Sequence, residues 1–228
     1  HHVGDMRSLR GLILVLFLPS VALAGEAAPT AATPAAPAPA APASLEAVSP
    51  ADPPRLRLPR TVLPESNRVW LVLDPDRATF NGRIEIAAQV AAPVSVFWLN
   101  AEQITIDKAT LVVGGETWPL DVMPQEHDFV GFRAPRSIPA GAATITISYS
   151  GRIDDTETEG IFGQKENGAW YIFPQFEPLA ARKAFPCFDE PDSKVPWQIT
   201  LEVPPALVAL ANTPVAAEET VGDRKRIT

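Results

Sequence analysis

The sequence predicts an all-β fold, a multi-stranded antiparallel sandwich, and three features of residues 55–228 carry this prediction. Short apolar runs alternate with clusters of turn residues, as the strands of a sandwich do. Residues 143–150 alternate strictly between apolar and polar side chains, which is typical of a strand with one face in water. No amphipathic helix of three turns or more can be drawn in this part of the chain.

The expected strands follow one another along the chain. The first runs over residues 69–73 and stops at Asp74-Pro75-Asp76. The clearest antiparallel pair joins residues 110–113 to residues 116–118, because Gly114-Gly115 supplies the positive φ angles of a tight hairpin turn. Further strands are expected at residues 82–90, 94–99 and 143–150, and a last pair at residues 219–221 and 225–228.

That last pair predicts an unfinished hairpin. Residues 225–228 follow the turn at Gly222-Asp223 directly, so this strand is expected to present an unpaired edge, which natural domains usually cover. The first methionine of the chain is Met6. Together these two features predict a fragment or a natural truncation, with the β-domain cut at its C-terminal end.

Residues 1–24 predict a signal peptide region that includes the residues upstream of Met6. Arg7 and Arg10 precede an apolar run over residues 11–21, and Ala22-Leu23-Ala24 offers a cleavage site of the small-x-small type. We therefore expect cleavage after Ala24 and an exported protein, periplasmic or extracellular. The alternative is an uncleaved N-terminal anchor. No later segment is long and apolar enough to span a bilayer.

Composition separates a linker from the folded part and excludes one class of partner. Residues 25–54 are rich in Ala and Pro and predict a semi-rigid linker, so that the β-domain occupies residues 55–228. The formal net charge of -8 argues against nucleic acid as a partner, because such binding needs a cationic face. Cys187 is the single cysteine, so the chain forms no internal disulfide, and a small buried apolar role is expected rather than a reactive thiol.

One short stretch, residues 170–191, differs in composition from the strands around it. Pro174 and Pro178 restrict the residues before them to extended conformations, so Gln175 and Glu177 are expected on one face with Phe176 on the other. A carboxylate and an amide oxygen side by side suit a cation with several N–H donors, such as the α-ammonium of a peptide. The alternative for Glu177 is a solvated loop residue.

The same stretch resembles a known signature. Gln175-Phe176-Glu177-Pro178, followed by residues 181–183 and by the run from Phe185 to Pro191, is similar to the N-terminal domain signature of the zinc-dependent aminopeptidase N family, the gluzincin aminopeptidases. Further segments occur in that family's order, and the resemblance extends over residues 55–228. These segments are residues 58–64, 99–101, 160–162 and 196–201.

The resemblance implies an exopeptidase that removes N-terminal residues from peptides. In the family the acidic residue of this motif, here Glu177, binds the free amine of the substrate, and the preceding amide, here Gln175, lines the pocket for the first side chain. The resemblance gives Arg182, Asp189 and Glu190 a structural role, in which they fix the motif against the next domain.

The catalytic equipment of that family has no counterpart in this chain. The family uses a Gly-x-Met-Glu-Asn loop, an H-E-x-x-H helix with a distant glutamate as third zinc ligand, and a tyrosine that stabilises the transition state. This chain contains only His1, His2 and His127, so no H-E-x-x-H pair can be formed. We therefore expect no catalytic residue, no metal ligand and no cofactor here, and zinc only in the full-length family member.

Three functional hypotheses remain open. The first is the N-terminal domain of an exported zinc metallo-aminopeptidase, with peptide N-termini and the missing catalytic domain as partners and no activity of its own. The second is a non-catalytic aminopeptidase-like β-module for binding or scaffolding, which the leader and the unfinished last strand disfavour. The third is an extracellular β-sandwich whose likeness to the family is accidental.

Overall fold

The computed structural model describes residues 12–14, by their backbone, and residues 52–228. Apart from residues 12–14 and 52–54, the predicted leader and linker lie outside the described residues and stay predictions. Helical structure in the described part is limited to one 3₁₀ turn, η1 (Ala181–Lys183), and no helix there has the length and apolarity to cross a membrane. Strands account for the remaining regular structure, so the all-β prediction is confirmed.

An eight-stranded sheet forms the larger layer. Every neighbouring pair in it is antiparallel except one, the parallel pair between its third and fourth strands. In spatial order the strands are β14 (Glu218–Val221), β15 (Arg224–Ile227), β12 (Trp197–Val203), β2 (Val62–Val72), β3 (Thr79–Val90), β9 (Gly141–Arg152), β5 (Ile104–Val113) and β6 (Glu116–Pro119).

Two smaller sheets form the other layer. The three-stranded sheet contains, in spatial order, β4 (Val94–Asn100), β8 (Phe129–Ile138) and β7 (Asp121–Val122). The four-stranded sheet contains β10 (Gly160–Glu166), β11 (Ala169–Gln175), β1 (Leu12–Leu14) and β13 (Val208–Leu210). Strand β1 runs parallel to both of its neighbours and separates β11 from β13.

One apolar core joins the layers. Alternation along β3 and β9 sends side chains such as Ile84 and Ile147 inward, where both are completely buried. Phe97 and Phe132 of the three-stranded sheet stack in the same core with ring centroids 5.3 Å apart. Ile172 of β11 belongs to this cluster as well. Burial of this continuous apolar surface is the main force that holds the sheets together.

Most of the expected strands are present. The predicted segments at residues 69–73, 82–90, 94–99 and 143–150 fall within or largely within β2, β3, β4 and β9. The hairpin between β5 and β6 has Val113 opposite Glu116, and Gly114 and Gly115 have φ angles of 57° and 82°. The positive φ requirement that predicted this turn is therefore confirmed.

The expectation of an unpaired last strand was wrong. Strand β15 pairs with β14 on one side and with β12 on the other, so that Ile227 is opposite both Glu218 and Leu201. The edge of the large sheet is β14 instead. Local sequence could not reveal this, because β12 lies more than twenty residues earlier and its pairing is set by the core. Truncation of the chain itself stays a prediction.

The close approach of β3 and β9 leaves no room for a side chain at Gly82. A Cβ atom on Gly82 would lie 2.2 Å from Cζ of Tyr149, whose ring is 1% exposed and has no space to move away. We predict that Gly82→Ala lowers the free energy of unfolding by about 1–3 kcal/mol, the usual cost of overpacking a core. Urea unfolding of the purified chain measures this change.

Gly163→Ala is the matched control for that substitution. Gly163 also lies in a strand, but its added Cβ would be 3.5 Å from the nearest atom, an ordinary contact distance. The control should shift the unfolding midpoint much less. Equal midpoints for the two variants would show that Tyr149 yields, contrary to this account.

Candidate functional site

Gln175 and Glu177 lie where β11 leaves its sheet. Gln175 is the last residue of β11 and is paired with Gly160. Both side chains are exposed, and within residues 52–228 neither forms a hydrogen bond or an ion pair. Phe176 between them packs against the core, with its ring edge-on to Phe185 at a centroid distance of 5.4 Å. The amide and the carboxylate therefore face away from the core, on the side of the chain opposite to Phe176.

The backbone after Glu177 closes into a compact turn. The Ala180 amide donates to the Phe176 carbonyl at 2.8 Å, and the Glu177–Pro178 peptide bond is cis. η1 follows immediately, and the Phe185 amide donates to the Ala181 carbonyl at 3.1 Å. This turn is thus tied at both ends to aromatic residues of the core.

Asn100, the last residue of β4, holds the next part of the segment. Its amide donates to the Cys187 carbonyl at 2.8 Å, and its carbonyl accepts from the Cys187 amide at 3.0 Å. Its side-chain Oδ1 accepts a third hydrogen bond, from the Asp189 amide at 3.0 Å. Asn100 is 1% exposed, so these bonds satisfy polar groups that water cannot reach.

Arg182 and Asp189 form an ion pair inside the segment. Arg182 Nε lies 2.9 Å from Asp189 Oδ2, and the two side chains are only 10% and 16% exposed. The Arg182 carbonyl also accepts from the Glu102 amide at 2.9 Å, just beyond the end of β4. The pair therefore closes residues 182–189 into a loop that is hydrogen-bonded to the end of β4.

Glu190 extends the same loop to the start of the domain. Its Oε1 accepts from the Leu58 amide at 2.9 Å, and Asp192 forms an exposed ion pair with Arg60. The contacts recorded for Arg182, Asp189 and Glu190 all lie within the described domain. We call residues 176–192 the anchored loop.

Cys187 lies at the centre of the anchored loop as a free, buried thiol, which agrees with the expected small apolar role. Burial raises the pKa of this thiol well above its usual value. The carboxylate of Asp189 raises this pKa further, while Arg182 opposes the shift. The thiol is therefore protonated at neutral pH and is a poor nucleophile.

Three carboxylates balance the positive charge of Lys183 on η1. Its Nζ lies 2.7 Å from Glu159 Oε2 and 3.6 Å from carboxylate oxygens of Glu157 and Glu102. The hydrogen bond to Glu159 is the main cause of a raised pKa for Lys183. These contacts link the anchored loop to the segment that precedes β10.

Residues 52–228 contain no group of three or more His, Cys, Asp or Glu side chains that could hold a metal ion. His127 is exposed, and its Nε2 lies 3.4 Å from Glu126 Oε1. A zinc ion needs three or four ligands in tetrahedral arrangement, and the described part of the chain does not offer this donor set. Residues 52–228 by themselves therefore do not form a zinc site.

Two of the cavities within residues 52–228 adjoin the four-stranded sheet, and neither Gln175 nor Glu177 lines them. One, of about 700 Å³, is lined by Trp170, Tyr171 and Phe173 on the hairpin of β10 and β11. The other, of about 470 Å³, is an apolar groove beside β12 and β13 that includes Leu210 and Val215. Because neither cavity encloses Glu177, a pocket around this carboxylate would need a wall from elsewhere.

Sequence reasoning named the residues of this region but not how they are connected. It placed Gln175 and Glu177 together, and the exposed positions of both side chains are compatible with that expectation. It missed Asn100 as the residue that holds the anchored loop. A buried asparagine at the end of an apolar strand is the signal that could have found it, since such a side chain needs partners.

Comparison with known proteins identifies relatives of this domain. Residues 63–228 match the Peptidase M1 N-terminal domain family. Aminopeptidase M1-C of Oryza sativa subsp. japonica is 34% identical over 179 residues, which cover 75% of this chain and 20% of the relative. Aminopeptidase M1 of Arabidopsis thaliana is 32% identical over 184 residues, or 74% of this chain and 20% of the relative.

A relative from an animal shows similar identity and coverage. Endoplasmic reticulum aminopeptidase 1 of Rattus norvegicus is 31% identical over 179 residues, which cover 74% of this chain and 19% of the relative. The chain thus spans about a fifth of the length of the curated relatives that it matches.

The ion pair between Arg182 and Asp189 generates a stability prediction. Arg182→Met should lower the free energy of unfolding by about 3 kcal/mol, because removal of one partner leaves a largely buried carboxylate without compensation. Arg60→Met is the matched control, since it removes an ion pair on the same loop whose side chains are 69% and 53% exposed. That change should cost about 1 kcal/mol or less.

Chemical denaturation of both variants measures these costs, and far-UV circular dichroism checks that each variant folds. Equal losses for Arg182→Met and Arg60→Met would show that the buried ion pair contributes no more to stability than the exposed one, contrary to this account.

Proposed function

Because the chain belongs to the Peptidase M1 family, as its N-terminal domain, we propose that it supplies substrate-amine recognition to an exported zinc aminopeptidase that removes N-terminal residues from peptides. Its relatives are aminopeptidases, and M1 aminopeptidases in general are zinc enzymes. The proposal assigns recognition to Glu177 and Gln175, and assigns the metal chemistry to parts of the protein outside residues 52–228.

The exposed acceptor pair of Gln175 and Glu177 is the observation that carries this proposal. An α-ammonium group carries three N–H donors and one positive charge, and a carboxylate with a neighbouring amide oxygen can accept them. Charge-assisted hydrogen bonds of this kind are about twice as strong as neutral ones. Since neither side chain has a partner within the described domain, both are available to a substrate.

The anchored loop explains why the acceptor pair can act as a fixed reference point. Recognition groups must hold their geometry within about 0.5 Å to favour one binding register. Phe176, which separates the two acceptors in sequence, packs against the core, and Asn100, Arg182 and Asp189 fix the segment that follows. A substrate ammonium bound there would be located relative to the core of the domain and not to a free loop.

A fixed ammonium site would also account for exopeptidase specificity. A carboxylate that pairs with a free α-amine places the first peptide bond at a set distance from the anchor, and this positioning lowers the entropic part of the barrier. Internal peptide bonds have no free amine and cannot use the anchor. When bound elsewhere in the protein, zinc would supply a Lewis acid and an activated water.

The export part of the proposal rests on residues 1–24. The two arginines, the apolar run and the Ala22-Leu23-Ala24 site support a leader that is removed after Ala24. The mature protein would then act in the periplasm or outside the cell, where peptide N-termini are its substrates.

Substitution of the proposed anchor gives the functional prediction. In the complete enzyme, Glu177→Gln should lower kcat/KM on an aminoacyl substrate by about 100-fold, or ~3 kcal/mol, because a charge-assisted contact to the substrate ammonium becomes a neutral one. Steady-state kinetics on an aminoacyl substrate with a free N-terminus measure this loss.

Glu166→Gln is the matched control, since Glu166 is an exposed glutamate at the end of β10. It should leave kcat/KM unchanged. An unchanged kcat/KM for Glu177→Gln would remove Glu177 from the amine site.

A further inference from the structure

The four-stranded sheet contains a strand position that a removable segment fills. Among the described residues, strands β11 and β13 do not pair with each other, and β1 alone connects them. Ile13 of β1 is opposite Ile172 of β11 and Ala209 of β13. Neighbouring strands lie about 4.8 Å apart, so without β1 a gap of roughly two strand spacings would separate β11 from β13. We call this position the strand slot.

The occupant of the strand slot belongs to the expected leader. Residues 12–14 lie within the apolar run 11–21, upstream of the cleavage site at Ala24. Cleavage would leave the facing edges of β11 and β13 without backbone partners. Unpaired edge groups that are neither solvated nor covered are costly, and they attract another strand.

The edges of the strand slot carry no charged residue, although Pro174 lies in β11 and β13 is only three residues long. Free edges usually carry charged residues, as β14 does with Glu218 and Glu219. Neither β11 (Ala169–Gln175) nor β13 (Val208–Leu210) contains a charged residue. Val208 and Leu210 are 46% and 43% exposed, and Leu210 also lines the apolar groove of about 470 Å³. Uncharged strands with exposed apolar side chains are typical of a surface that another segment covers.

The direction of β1 restricts what the normal occupant can be. β1 is parallel to both neighbours, and parallel strands require a connection of a dozen or more residues. A strand that enters the strand slot in the direction of β1 therefore cannot come from a tight hairpin with β11 or β13. Such a strand arrives from a distant part of a polypeptide.

We propose that the strand slot is an acceptor site for an apolar extended segment of the same protein, contributed by the part of the enzyme outside residues 25–228, and that residues 12–14 only take its place. This inference rests on the proposed function in one respect, the existence of that further part. Its relatives, about five times as long as the matched region, support the premise. The slot would then join the amine-recognition domain to the rest of the enzyme.

Hydrogen exchange on the chain with its leader retained tests whether the slot accepts a strand. Ile13→Pro removes an amide donor from the middle of β1, so amide exchange next to Ile172, on the side of β11 that faces β1, and in residues 208–210 should become at least tenfold faster. Ile13→Val is the control and should leave exchange unchanged. Amides of β3 and β9 should be unaffected by either substitution.

A peptide added in trans tests the same slot without relying on a deletion. Peptide 7–14, which its two arginines keep soluble, should restore slow exchange to the Ile13→Pro chain, while the same peptide with Ile13→Pro should not. Identical exchange in wild type and Ile13→Pro, or no recovery with the peptide, would overturn the acceptor site.

The mature full-length protein tests the identity of the occupant. Residues 208–210 should exchange slowly there although the leader has been removed, and peptide 7–14 should not bind. Fast exchange together with peptide binding would show an open slot and refute a segment of the same protein as occupant. These measurements do not depend on Glu177, so failure of the slot and failure of amine recognition can be told apart.

Discussion

The attachment of the anchored loop to the end of β4 is the constraint on which the candidate site depends. Three hydrogen bonds made by the buried Asn100 and the ion pair between Arg182 and Asp189 hold polar backbone inside an apolar domain. In a low-dielectric interior, satisfied polar networks are strong and broken ones are costly. The loop therefore has one well-defined position, and that position sets where Gln175 and Glu177 face solvent.

A second constraint concerns surfaces rather than the core. The acceptor pair stands on an open face, and the apolar groove exposes Leu210 and Val215. In the part of the chain that the structure describes, β11 and β13 are connected only through residues 12–14. Each of these features is unusual for a domain that works alone, because exposed apolar edges favour association. Together they support a domain whose proposed recognition pocket and whose four-stranded sheet would be completed by further polypeptide, in keeping with relatives of much greater length.

Sequence patterns predicted the parts of the fold that depend on local chemistry. Strict alternation found β9, and the Gly-Gly pair found the turn between β5 and β6. The parallel pairing of β12 with β2 could not be predicted, because the paired residues lie more than a hundred positions apart and packing in the core determines their pairing. Strand β8 was also missed, since Pro135 lies in an irregular part of it and Gly131 admits the ring of Trp98. The candidate site came from the motif, whereas its support by Asn100 required three-dimensional contacts.

The most direct test of the central claim is a crystal structure of the complete protein with a bound amino-acid-derived inhibitor that keeps a free α-ammonium group. This account predicts the ammonium nitrogen about 3 Å from a carboxylate oxygen of Glu177, with the Gln175 side chain at the same pocket. An ammonium group paired with other residues, with Glu177 left in solvent, would contradict the claim that this domain recognises the substrate amine.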